Sequence, residues 1–209
     1  MLLISCQTGR KEWAFTYGYT HYAHVHIVST PDDVNITWAT RMRDTAFKRM
    51  MKTLSVGTEV QIEGPYGDMT LHNNAVRAAV FLAGGIGITP FHSMVVDATK
   101  HLPERNIFLF YSNRRPEDAP YLDELASLAV ENPNFTFTPT MTDLKKSKKE
   151  WKGEQGYINK DMLLKYLGDL SGPIYYIAGP MALVAAMRKT LNDAGVNDDD
   201  ICTEEFPGY

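Results

Sequence analysis

The chain has 209 residues, of which 44% are hydrophobic and 22% charged, a balance that excludes a disordered, collagen-like or membrane-spanning polypeptide. At about 150 residues per domain, that length allows one large domain or two small ones. Its 21 basic and 25 acidic residues leave a net charge of −4, which removes any bulk electrostatic attraction to nucleic acid.

The two cysteines, Cys6 and Cys202, stand near opposite ends, so neither a disulfide framework nor a zinc site is expected. The opening MLLISC lacks the basic segment and the apolar length of an export signal. No apolar run approaches the ~18 residues of a membrane span. The expectation is a cytoplasmic protein.

In chain order, residues 24–29 (HVHIVS), 35–40 (NITWAT) and 59–64 (EVQIEG) read as strands, and 43–54 as one short helix. The histidines at 21, 24 and 26 have no acid or cysteine beside them, and no metal is assigned to them. The texture changes at His72-Asn73-Asn74, which sets a domain boundary near residues 73–77: a β-rich domain over 1–76 and a second domain over 77–209.

In the second part, apolar runs at 78–83, 106–112, 135–140, 173–178 and 201–206 alternate with helix patterns at 90–100, 117–130, 160–168 and 180–194. That alternation predicts an α/β domain with a five-stranded parallel sheet. Thr89 is the expected cap of the first of these helices, with Pro90 at its first position, and Asn159 and Gly195 bound later ones. The lysine-rich stretch 144–153 reads as a solvated loop that would also receive an acidic partner.

The strongest local signal is AVFLAGGIGITP (79–90), a buried strand running through a glycine cluster into a helix. Gly84, Gly85 and Gly87 offer positive φ angles and close backbone approach, and the helix start offers free N–H groups to a pyrophosphate. The spacing is not the G-x-G-x-x-G dinucleotide fingerprint. At the next strand-to-helix turn, where an acid reads the ribose of NAD, the chain instead has Asn113, Arg114 and Arg115. These donors suit the 2′-phosphate of NADP; two solvated arginines are the alternative.

The order of AGGIGITP (83–90), YSNRRPEDAPYLDEL (111–125), YYIAGPMALVAAMRKTL (175–191) and EEFPGY (204–209) closely resembles the NAD(P)-binding half of ferredoxin-NADP reductase-like flavoenzymes. Upstream, residues 36–72 look like the last part of that family's FAD-binding β-barrel. The resemblance implies hydride transfer between NAD(P)H and FAD, and electron delivery to a ferredoxin, an oxygenase component or a small acceptor.

It further implies that Gly84, Gly85, Gly87, Thr89 and Pro90 form the pyrophosphate turn, that Asn113, Arg114 and Arg115 hold the adenosine end, and that Gly179, Pro180 and Met181 lie on the nicotinamide side. Thr45, Ala46, Arg41 and Arg43 would approach the FAD pyrophosphate. Glu205 and Phe206, with Tyr209 as a second aromatic, would sit against the flavin. One departure stands out: Ala23, Val25 and His26 occupy the places of the family's arginine, aromatic residue and serine. The alternative reading is therefore a nucleotide-binding or interaction module whose flavin site has decayed.

Overall fold

Alternating residues in the first part of the chain build an antiparallel sheet. In this computed structural model, which describes residues 2–7, 12–17, 21–66 and 69–206, the sheet contains β1 (Leu2–Gln7), β2 (Glu12–Tyr17), β3 (His21–Ile27), β4 (Asn35–Thr40) and β5 (Gln61–Tyr66). Their order is β1-β4-β3-β2-β5, and every adjacent pair is antiparallel. The three expected strands are β3, β4 and β5 with shifted ends. β1 and β2 are additional, formed where the sequence showed no clear strand pattern.

Helix α1 (Ala46–Thr53) lies between β4 and β5. Phe47, Met50, Met51 and Leu54 recur at helical spacing and pack with Ile36 and Trp38, so one apolar stripe ties the helix to β4.

The second part carries β6 (Ala79–Gly84), α2 (Ile88–His101), β7 (Ile107–Asn113), α3 (Leu122–Glu131), β8 (Phe135–Met141), β9 (Glu154–Gln155), α4 (Lys160–Leu167), β10 (Ile174–Gly179), α5 (Met181–Asp193) and β11 (Ile201–Glu205). The sheet order is β11-β10-β6-β7-β8-β9, with all neighbours parallel. It has six strands rather than the expected five. The sixth, β9, is two residues long and pairs with Thr140 and Met141, too short to leave a hydrophobic run in the sequence.

Every residue of β6 is buried, as a parallel strand covered on both faces requires. Phe81, Phe91, Leu109 and Leu125 fill one face of the sheet; Leu82, Phe110, Leu163, Ile177 and Leu191 fill the other.

Two compact units result, Met1–Asp68 and Met69–Tyr209. Residues 69–76, assigned to the first domain from sequence texture, thus group with the second unit. The physical reason is a set of polar ties: the His72 backbone N–H donates to Tyr176 Oη at 2.8 Å, and Arg105 Nη2 donates to the Asn74 carbonyl at 3.1 Å.

Candidate functional site

Strand order places the direction change of the second sheet between β6 and β10. β6 leads through α2 to β7 on one side, while β10 lies on its other side. Ligands of open α/β sheets bind at the carboxyl ends of the strands flanking such a switch point. The two loops there are the glycine turn 84–87 and the turn Gly179-Pro180.

The glycines serve this place differently from the expectation. In the turn 84–87 only Gly85 has a positive φ, 53°; Gly84 has φ −123° and Gly87 φ −61°. A Cβ on Gly87 would stand 2.2 Å from the Ala178 carbonyl oxygen, and one on Gly84 would stand 2.7 Å from Leu183 and 2.9 Å from Pro180. Gly179, at φ +149°, would meet Gly84 in the same way. Gly84, Gly87 and Gly179 therefore let the first and fourth turns touch backbone to backbone, and Gly85 and Gly179 take the positive φ angles.

Residues 85–87 form a single 3-10 turn and α2 begins at Ile88, with Gly87 as its cap residue and no side-chain cap bond. Thr89 is thus not the cap. It is fully buried, and its hydroxyl donates to the Ile86 carbonyl at 3.0 Å, which holds the turn closed. Pro90 stands inside the first helical turn, where no intrahelical donor is needed. The turn leads directly into the N-terminal, positive end of the α2 dipole.

At the second turn Asn113 is buried, and its Nδ2 has no hydrogen-bond partner among the described residues. The Asn113 carbonyl accepts from the Thr142 N–H at 2.9 Å and that of Arg114 from the Asp143 N–H at 2.9 Å, which pins this turn to the next. Arg114 is exposed. Arg115 instead makes a two-pronged pair with Asp118, Nε to Oδ2 at 2.8 Å and Nη2 to Oδ1 at 2.9 Å, and Asp118 raises the guanidinium's pKa further.

Glu117 accepts from the N–H groups of Lys148 and Lys149 and from the Ser147 hydroxyl. Its own backbone N–H first, and then these bonds, hold its carboxyl below the usual range, and the bonds fasten the lysine stretch beside the second turn. Behind the turn, Tyr121 takes φ 59° and packs on His92 with ring centres 4.3 Å apart. Burial pushes the Tyr121 phenol up to about 12.

At the fourth turn Pro180 precedes α5, and Met181, its first residue, is 62% exposed. The Phe206 N–H donates to the Gly179 carbonyl at 3.0 Å, and the Phe206 ring belongs to the core around Phe81 and Ala178. Glu205 is exposed. Tyr209 lies outside the described residues.

In the first unit, Thr45 caps α1, accepting the Lys48 N–H on Oγ1 at 3.3 Å. Lys48 Nζ donates to the Arg41 carbonyl. Burial, then the charges of Arg43 and Arg41, push the Lys48 pKa down. Arg41, Arg43 and Lys48 thus gather positive charge near the start of α1, beside Asp44, which pairs with Arg49. Lys48 was not singled out from the sequence, although its place three residues after a capping threonine marks it.

Among the described residues no helix is long and apolar enough to cross a membrane. A family model described as the oxidoreductase NAD-binding domain matches residues 81–189. The F component of the Na(+)-translocating NADH-quinone reductase of Klebsiella pneumoniae is 34% identical over 160 residues, covering 75% of this chain and 39% of the relative. The chain spans about two fifths of the length of the curated relatives it matches.

Among solved structures, a cytochrome P450 reductase of Amycolatopsis superposes with a TM-score of 0.80 at 22% identity, covering 94% of this chain and 60% of that one. A ferredoxin NADP+ reductase of Neisseria gonorrhoeae with bound FAD and NADP gives 0.74 at 18% identity, covering 97% and 92%. The fold is that of the ferredoxin reductase-like proteins, as the sequence motifs implied.

Proposed function

The chain belongs to the oxidoreductase NAD-binding domain family, and from that premise we propose that it is an FAD-dependent NAD(P)H oxidoreductase passing electrons to a ferredoxin-like or oxygenase protein or to a small acceptor. The observation that carries this reading is the contact of the first and fourth turns at the switch point of the second sheet. That contact leaves a glycine turn and a helix start at the one place where such sheets bind dinucleotides.

In this reading the backbone of Gly84, Gly85 and Gly87, kept in shape by Thr89 and Pro90, cradles a pyrophosphate. The unpartnered Nδ2 of Asn113 donates to the adenosine ribose, with Arg114 and Arg115 beyond it. Gly179, Pro180 and Met181 border the nicotinamide. The residues of the first unit also fit a dinucleotide: Arg41, Arg43 and Lys48 gather positive charge at the α1 start, and Thr45 and Ala46 present backbone there. These three cations replace the charge lost where Ala23 stands for the family's arginine. The Phe206 ring is committed to the core of the second unit, so no place beside a flavin is assigned to it.

When bound, the nicotinamide supplies a hydride and the flavin converts that pair into single-electron steps. The chain's own part is to bind, orient and charge-balance the two nucleotides. Purified protein supplied with FAD is expected to retain it and show the flavin absorption bands, which NADH or NADPH then bleaches. Colourless protein that takes up no FAD while still binding NADP(H) would favour the module with a decayed flavin site.

A further inference from the structure

In the proposed function Arg115 stands where a guanidinium would meet the 2′-phosphate of NADP, yet its Nε/Nη2 edge is already occupied. Nε and Nη2 hold the two carboxylate oxygens of Asp118. The pair is local and prebuilt: Pro116 begins a 3-10 turn between the two residues, and the Asp118 N–H donates to the Arg115 carbonyl at 3.0 Å. Little side-chain freedom is lost in keeping it. Neighbouring anchors stiffen the same corner, because Glu117 fastens Lys148 and Lys149 and the turn is bonded to Thr142 and Asp143.

We propose that Asp118 is a specificity-determining residue, an internal carboxylate that occupies Arg115 and so disfavours a 2′-phosphate over a plain ribose 2′-hydroxyl at the second turn. The proposal rests on the nucleotide-binding reading above. A phosphate must compete with the carboxylate for the Nε/Nη2 edge or make do with the remaining Nη1/Nη2 edge, and as a dianion it also meets the charge of Asp118. A neutral 2′-hydroxyl meets neither obstacle. Arg114 and the fastened lysines remain as a general positive field, which draws any nucleotide in without distinguishing the two.

The pair is partly solvent-exposed, at 36% and 37% for the two side chains, so its effect is modest. Solvent screening of such a pair limits the change in affinity ratio to about threefold to fivefold.

The test uses the full chain and two probes without nicotinamide, 2′,5′-ADP and 5′-ADP, titrated by calorimetry. Asp118→Asn is expected to raise the ratio of 2′,5′-ADP to 5′-ADP affinity by about threefold to fivefold. Asp118→Ser should repeat that gain, and adding Arg115→Ala should abolish it. An unchanged ratio in both Asp118 variants overturns the proposal. So does a loss of 5′-ADP affinity with no gain for 2′,5′-ADP, which would make Asp118 a ribose acceptor. If neither probe binds any variant or the parent, the nucleotide-binding reading itself falls.

Discussion

Two helix starts in this protein do the same job by opposite means. The start of α1 has a threonine cap and three crowded cations. The start of α2 has a glycine cap, no side-chain cap bond and no charged residue from Gly84 to Phe91. In the proposed function one would attract an anion by charge, and the other by backbone in a tightly packed turn. Attraction by charge tolerates imperfect geometry but is weakened by salt and lost on titration. Attraction by backbone carries no titrating group and is less sensitive to salt, but it fails when the packing fails.

The largest expected effect therefore belongs to the packed turn. Gly87→Ala places a methyl group 2.2 Å from the Ala178 carbonyl oxygen, backbone against backbone, with no flexible side chain to give way. The cost is about 3 kcal/mol of second-unit stability, at the upper end of overpacking penalties, read as a lower urea midpoint with an unchanged slope. An unchanged midpoint would show that the two turns are not in contact.

Next comes the charged start. Arg41→Ala with Arg43→Ala should weaken FAD binding about tenfold, the worth of one or two charge-assisted contacts, and should flatten its salt dependence. Titration of FAD fluorescence measures both. Binding of 5′-ADP to the second unit should keep its salt profile in that variant; a parallel change would erase the contrast between the two starts.

A smaller effect separates the two threonines. Thr45→Ala removes a cap from an exposed helix start and costs about 0.5–1 kcal/mol in the first unit. Thr89→Val removes a buried hydroxyl that bonds the Ile86 carbonyl, and losing that bond costs about 1 kcal/mol in the second. Separate unfolding transitions of the two units distinguish these losses.

The same contrast explains what could be read in the sequence. The second sheet was legible because β6, β7 and β10 are largely apolar runs bounded by turns, the pattern of strands buried on both faces, while β8 (FTFTPTM) carries β-branched and aromatic residues in alternation. β9 was not, since two residues carry no pattern. Motif residues were found at the right turns, but their reasons were not: Gly84 and Gly87 answer to Ala178, Pro180 and Leu183, residues about a hundred positions away, which no local spacing reveals. Asp118 was visible in R-P-E-D only as a residue three places from Arg115. Its capture of that guanidinium depends on the intervening 3-10 turn.

The finest test of the contrast is pH. Burial, with Arg43 and Arg41, holds the Lys48 pKa below its ordinary 10.5, so in the free protein Lys48 loses its charge earlier than an unperturbed lysine. A diphosphate at the α1 start favours the charged form, so the complex holds more proton than the free protein between the two pKa values. By linkage, FAD affinity must then fall as pH rises through the lowered value, by about threefold for one partly exposed charge. Lys48→Met should flatten the profile, because the arginines keep their charge throughout. Binding of 5′-ADP at the α2 start should show no such slope, since that turn has no lysine to discharge. Equal slopes for the two ligands would mean that charge, not backbone, governs both.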